Sequence, residues 1–325
     1  MKRALTILAC LIVLSTSVGC IHKHMLLVTP YRDGDARSVK MADGLLSSVR
    51  SKGFSSSLEV VNMNIEGSTS EIWRDQMARL AVIRASASKP GMIFVADDMA
   101  AEYFAKRLLG THREFIFLGL NADPTYFGFS RSLNVTGVRE VLPVEEAFAK
   151  MKEYVPTATR VAVISDQSLE GDAVAEQIRK TANLPMEIVA VKRPATLYEW
   201  IGAVAEVQEM ADVLCIGGYR GVLAADEGND TIAPSVILQM TAQANHLPDL
   251  SFWADAVGPE GVMLAVVVPI EKQAALAADQ AVRVMYRNED ISSIRIVSCP
   301  DHDVIYDRQR ATQLGVKLPM PGDGR

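Results

Sequence analysis

The sequence predicts an α/β fold built as two successive halves, each with its own parallel sheet. Two observations carry this. Short apolar runs alternate with longer amphipathic stretches, the βαβα order that implies a parallel sheet covered on both faces. The pattern then runs through a second time, and the tail left over is too small for a third domain.

Met25–Thr29 reads as the first strand and Arg37–Ser51 as a helix, with Met41, Leu45, Leu46 and Val49 at helical spacing. Leu58–Asn62 is a strand. Glu71–Ala87 is a helix whose apolar stripe is Ile72, Met77, Leu80, Ala81 and Ile83. The strand Met92–Val95, the helix Met99–Leu109 and the strand Phe115–Leu118 follow. The second half alternates the helices Val144–Tyr154, Asp172–Ala182, Leu197–Met210 and Ile232–His246 with the strands Val161–Ile164, Glu187–Val191, Val213–Ile216 and Leu250–Trp253. The tail holds a strand, Val262–Val268, and an Ala-rich helix, Glu271–Arg287. Short strands at Ile294–Ser298 and Val304–Tyr306 and a helical turn or two at Arg308–Leu314 end it. Such a tail completes both halves, so the chain crosses between them more than once.

The first 20 residues read as an export signal rather than as fold. Lys2 and Arg3 form a positive start. Ala4–Leu14 is apolar but too short to span a bilayer. Small residues then lead to Cys20, the pattern of a bacterial lipoprotein signal in which that cysteine becomes the lipidated first residue. Ser17 stands where such signals carry an aliphatic, which leaves a plain cleaved secretory signal as the other reading. Loss of the two basic residues takes the net charge from −6 to about −8. An acidic chain argues against a nucleic-acid surface. Beyond the signal stand Cys215 and Cys299. Their spacing leaves open whether they pair in an oxidising compartment or stay as two free thiols.

The usual catalytic signatures are missing. There is no G-x-S-x-G, no P-loop, no G-x-G-x-x-G after a strand, no C-x-x-C and no H-E-x-x-H. No catalytic residue, cofactor or metal is therefore expected. Gly217–Gly221 (GGYRG) follows a strand without dinucleotide spacing and reads as a turn. His22 and His24 read as part of a tether, and Asp301–Asp303 as a solvated loop. What recurs is a polar residue just past a strand's carboxyl end: Tyr31; Asp97 and Asp98; Asn121 and Asp123; Ser165 and Asp166; Tyr219 and Arg220; Asp255. Open parallel sheets bind ligands at that end. Each residue also has a plainer reading. Asp97 or Asp98 caps the next helix, Asp123–Pro124 opens a turn, and Asp166 begins a loop.

Gly119–Pro124 (GLNADP) followed by Asn134–Val138 (NVTGV) resembles the substrate-binding proteins of ABC importers, in the family with tryptophan- and tyrosine-type members. Leu142–Glu146, Tyr154–Pro156, Arg160–Ile164, Gly261–Leu264, Ala274–Arg287 and Ala311–Pro319 continue the resemblance in order. It implies a type I periplasmic-binding-protein fold: two Rossmann-like lobes, three crossovers and one cleft. On that reading residues 1–20 are the signal and lipobox. Residues 25–138 with about 262–292 form the N-terminal lobe, and 139–261 with about 293–319 the C-terminal lobe. Asn134–Val138 becomes a hinge strand, with Gly137 where backbone must flex or approach closely.

The resemblance implies an extracytoplasmic, periplasmic solute-binding lipoprotein anchored by lipid at Cys20. It would capture a small solute, an aromatic amino acid among the candidates, by closure of the lobes. The partners implied are the solute and an ABC permease in the inner membrane, with no nucleic acid, and the chain is expected to be a monomer. The ligand-binding set expected is Tyr31, Asp97, Asp98, Asn121, Asp123, Asp166, Tyr219 and Asp255. For an amino acid, Asp97, Asp98 or Asp166 pairs the ammonium, helix N-termini hold the carboxylate, and Tyr31, Tyr219 or Trp253 gives an aromatic wall. Ile93–Asp98 (IFVADD) and Gly137–Glu140 (GVRE) are also similar to family members fused to sensor histidine kinases. The alternative function is thus a ligand sensor that signals to a membrane receptor or kinase. An enzyme using paired carboxylates is a third reading, and the missing motifs stand against it.

Overall fold

The computed structural model describes residues 22–225 and 230–318. The signal segment and Cys20 lie outside the described residues. The first sheet contains β1 (Lys23–Thr29), β2 (Ser56–Asn62), β3 (Met92–Ala96), β4 (Phe115–Leu120), β5 (Val135–Arg139) and β11 (Val297–Ser298). Its order is β11-β5-β4-β3-β1-β2, all parallel. The second contains β6 (Arg160–Ile164), β7 (Glu187–Lys192), β8 (Val213–Ile216), β9 (Asp249–Ser251), β10 (Leu264–Val267) and β12 (Asp303–Tyr306). Its order is β12-β10-β9-β8-β6-β7, with only β12 antiparallel.

Every residue of β3, β4 and β8 is buried. That is why these strands read as unbroken apolar runs rather than as alternating ones. On the first sheet, α1 (Ala36–Ser51) and α8 (Ile270–Arg287) seal one face. On its other face lie α2 (Glu71–Ser88) and α3 (Asp97–Tyr103). The second sheet carries α4 (Val144–Tyr154), α5 (Leu169–Lys180) and α9 (Arg308–Gln313) on one side. On its other side are α6 (Leu197–Val207) and α7 (Pro234–Ala244). Side-chain oxygens of Asp35, Ser70, Ser168 and Thr196 accept backbone N–H bonds at the starts of α1, α2, α5 and α6, which fixes where those helices begin.

The chain passes between the lobes three times: after β5, between β10 and α8, and between β11 and β12. This corrects the sequence-based division of the tail. The segment 262–292 does not join the first lobe as a block. Leu264–Val267 pairs with β9 and β12 in the second sheet, and only α8 packs on the first, through Ala274, Ala277, Ala278 and Ala281. Within 293–319, Val297–Ser298 pairs with β5 in the first sheet.

Other expectations change as well. α2 buries Ala78, Ala81 and Ala85, while Ile72 (73% exposed), Leu80 (57%) and Ile83 (63%) face outward. Both faces of α2 carry apolar residues at helical spacing, so periodicity alone could not select the inner one. His22 and His24 are no tether: His24 lies within β1, and both rings bond serines of the Ser55–Ser57 stretch. Cys215 in β8 and Cys299 beyond β11 are separate, buried free thiols, and burial pushes both thiols up. Gly137 sits in β5 because a Cβ there would lie 2.5 Å from the Phe117 ring.

The last helix is fastened by a buried ion pair. Arg310 (3% exposed) donates through Nη2 to Asp249 Oδ2 at 2.7 Å and through Nη1 to the Ala242 carbonyl at 3.0 Å. Asp249 (0% exposed) also accepts from Asn245 Nδ2 and the Met263 N–H. Removing one partner leaves a buried charge uncompensated. Arg310→Ala is expected to lower unfolding free energy in urea by about 3–5 kcal/mol, while replacing both residues with apolar ones of similar volume costs far less.

Candidate ligand-binding cleft

The carboxyl ends of the two sheets face each other across a cavity of ≈ 440 Å³. The first lobe lines it with Glu66, Arg74, Asp97, Met99, Glu102, Tyr103 and Tyr126. The second contributes Gln167, Ser168, Leu169, Glu170 and Arg220. The local reasons differ. Glu66 follows β2. Met99, Glu102 and Tyr103 sit at i, i+3 and i+4 on α3, and so share one face. Ser168 and Glu170 are at the start of α5, capped by the Ser168 hydroxyl.

Of the expected ligand-binding set Asp97 alone lines the cavity, joined by Arg220, which the sequence marked only as a strand-end residue. Asp97 is 9% exposed and has φ +73°, in the left-handed region. A non-glycine residue held there carries strain on the order of 1–3 kcal/mol. Its Oδ2 accepts from the Tyr31 hydroxyl at 2.9 Å and its Oδ1 from the Met99 N–H. Burial, then the nearby Glu66, push its carboxyl above the usual range. The charge of Arg37 opposes this rise, but among the described residues Arg37 makes no direct ion pair with Asp97. That guanidinium lies 3.9 Å over the Tyr31 ring and is bound at 2.6 Å to each oxygen of Glu66, and also to Asp35.

The other named residues surround the cavity. Tyr31 supports Asp97. Asp98, fully buried, accepts the Asn121 and Ala122 N–H groups and so holds the turn after β4. Asn121 is part of that clamp, and its carbonyl accepts from Gln177 of the second lobe at 2.9 Å. Asp123 is exposed in the Asp-Pro turn, bonding Thr125 and facing Arg139 at 3.6 Å. Asp166 is buried and receives the Ser168 and Gly221 N–H groups. The GGYRG turn packs so closely on this corner that a Cβ at Gly218 would sit 2.5 Å from Gly171 Cα. Tyr219 is buried edge-on to Trp253. Asp255 is an exposed partner of Arg220.

Arg220 is the charged centre of the second lobe. It is 5% exposed and lies 2.6 Å from Asp255, 3.4 Å from Glu170 and 4.0 Å from Glu66 across the cleft. Glu170 is pushed well up by burial, with Asp97 and Glu66 adding to the effect against Arg220. The lobes also touch at the mouth. Ser68 and Asp230 form an antiparallel bridge, and the Thr231 hydroxyl donates to the Gly67 carbonyl at 3.3 Å. At the opposite side Gln177 bonds the Asn121 and Glu140 carbonyls and the Leu142 N–H.

Sequence reasoning missed Glu66, Arg74, Glu102, Tyr103, Tyr126, Gln167 and Glu170. Glu66 was within reach of the strand-end rule, since β2 ends only four residues earlier. Glu170 was lost because α5 starts three residues before the predicted Asp172.

No family model matches the sequence, and no curated protein matches it. Solved structures match over nearly the whole chain. The ABC domain in complex with L-Trp from Streptococcus pneumoniae aligns with TM-score 0.70 at 14% identity, over 92% of this chain and 96% of that one. A conserved domain protein from Vibrio cholerae gives 0.69 at 17% identity, over 91% and 96%. The ligand-free, open structure of a substrate-binding protein with adhesive properties from Clostridium difficile gives 0.65 at 15%, over 93% and 97%. Identities this low establish the fold. It is the type I periplasmic-binding-protein fold, the architecture of ABC-transporter solute-binding proteins.

Glu140 opens the first crossover. Its carboxyl is pushed up to about 7, first by burial and then by Asp97, against a hydrogen bond from Gln273 and the charge of Arg220. The folded state therefore holds a proton that the unfolded chain has released. This contribution to stability is fully present below pH 4.5, the ordinary value, and is lost as pH rises through about 7. Urea unfolding between pH 5 and 8 is expected to show a loss of about 2 kcal/mol that is absent in Glu140→Gln.

Proposed function

We propose that the chain is an extracytoplasmic solute-binding protein of an ABC importer that closes its two lobes on a small zwitterionic solute. The observation that carries this reading is a cavity walled by both lobes whose buried carboxylate, Asp97, has no arginine committed to it. An ammonium group fits that carboxylate, with Glu170 and Glu102 nearby. The solute's carboxylate fits Arg220 and the amide end of α5. Tyr103, Tyr126, Met99 and Leu169 supply apolar surface for a side chain. An amino acid with a large apolar or aromatic side chain combines these features. The L-Trp complex with the same fold supports the choice. Lipid attachment at Cys20 would hold the protein beside an inner-membrane permease.

A thermal-shift screen of residues 21–325 against amino acids, sugars and nucleosides tests this. A true ligand at a hundred times its Kd adds about 2.7 kcal/mol of stability. Asp97→Asn keeps a residue tolerant of positive φ but removes the charge. It is expected to weaken binding of the amino acid by about 30-fold or more. Binding of sugars or nucleosides only, or full affinity in Asp97→Asn, would defeat the zwitterion reading.

A further inference from the structure

We propose that the empty cleft closes with uptake of protons at Glu140 and Glu170, so that acid draws the two lobes together and loss of those protons parts them. The device works before any solute arrives and does not depend on which solute the cleft takes.

Glu140 stands where the lobes hinge. Its N–H donates to the Leu120 carbonyl of the first sheet at 2.8 Å, and its own carbonyl accepts from Gln177 of α5 in the second lobe at 3.1 Å. Its carboxyl accepts from Gln273, at the start of α8 just past the second crossover. The Gln273 Oε1 in turn accepts the Gly119 N–H at 3.1 Å. One side chain thus ties two of the three crossovers together. Asp97 and Arg220 face that carboxyl from the ends of β3 and β8. The Cys299 thiol lies near it on the approach to the third crossover. Neighbouring Arg139 is turned to Asp123, at 3.6 Å. Glu170 is the matching group on the second lobe. Its side chain is 13% exposed and its ion-pair partner is Arg220, at 3.4 Å. Asp166 lies on its own side, and Glu66 and Asp97 face it from the first lobe.

The closed cleft therefore gathers more carboxyls than cations. Arg220 is shared among Glu170, Asp255 at 2.6 Å and Glu66 at 4.0 Å. Arg37 is taken by Glu66 and Asp35. Among the described residues neither guanidinium makes an ion pair with Glu140 or Asp97. Ionising Glu140 and Glu170 in this arrangement puts like charges into a poorly hydrated space. Rotation about the crossovers carries Glu170 and Arg220 away from Glu66 and Asp97 and admits water. The protons are thus held more tightly in the closed form. Burial pushes the Glu140 carboxyl up to about 7 and the Glu170 carboxyl well above its usual range. Closure is favoured while Glu140 is protonated and loses that support as pH rises through about 7. From Glu140 alone, the closed-to-open ratio falls by up to about 70-fold between pH 5 and pH 8, the limit in which opening restores the ordinary 4.5.

Small-angle X-ray scattering on residues 21–325, dialysed free of small solutes at fixed ionic strength, tests this. The radius of gyration should be smaller at pH 5 than at pH 8. Glu140→Gln keeps the size of the protonated acid but cannot titrate, and should remove the part of the change centred near pH 7. Glu140→Gln/Glu170→Gln should stay compact at every pH. Far-UV circular dichroism checks each fold, and a double variant that misfolds leaves Glu140→Gln to decide. A wild type whose radius does not change with pH, or grows toward acid, overturns the proposal. So does a Glu140→Gln variant with the full response of the wild type, or a folded double variant that still expands.

Discussion

Parallel sheets buried on both faces leave only their ends for chemistry, and the rest of this molecule follows from that constraint. In β3, β4 and β8 no side chain is free to meet a solute, because helices cover both sides. Polar groups emerge where strands stop. Two such ends become one site because the chain passes between the lobes three times. Three separate connections also restrict how the lobes can move, favouring a pivot about the crossovers over free rotation. Gln177 stands at that pivot, bonded to backbone on both sides of the first crossover.

The same residue type does two jobs around the cleft, and side-chain direction separates them. Asp98 and Asp166 are buried carboxyl groups that receive backbone N–H groups, and so fix loops. Removing such a carboxylate would strand buried donors. Asp97 is different. It sits beside Asp98 in sequence but is turned toward the cavity by its left-handed backbone, and a tyrosine hydroxyl holds it. The strain is the geometric means by which two adjacent aspartates face opposite tasks. A right-handed start to α3 would point Asp97 elsewhere.

Much of the fold was legible because apolar runs bounded by turn residues directly mark buried strands. The helix Val144–Tyr154 and the strand Val213–Ile216 appear with their predicted limits. What was not legible depends on tertiary competition. α2 has two apolar faces, and only the sheet decides that the alanine face packs closer. The tail strands could join either sheet until β9 and β5 offered their edges. In the site, the strand-end rule located the right end of both sheets. It could not tell cavity-facing residues from those supporting them, because Tyr31, Asp98 and Asp166 differ from Asp97 in side-chain direction and hydrogen-bond partners. Tyr103 and Glu102 carried no strand-end signal at all. They reach the cavity from a helix face one turn in.

Among the described residues, the polar contacts that join the two rims at the mouth are individually weak ones. One backbone bridge at Ser68 and Asp230, the bonds from Thr231 to Gly67, and the 4.0 Å approach of Arg220 to Glu66 join the two rims. Ordinary hydrogen bonds contribute roughly 0.5–1.5 kcal/mol each. Glu66 is already bound to Arg37, and Arg220 to Asp255, so their mutual attraction adds little that the open state lacks. On the proposed reading, a solute that touches Asp97 on one lobe and Arg220 on the other would gain its contacts only when both are close. Its differential affinity for the closed form would then set the population. On the same reading, the arginines around the cavity, already paired within their own lobes, would leave closure to the molecule between them.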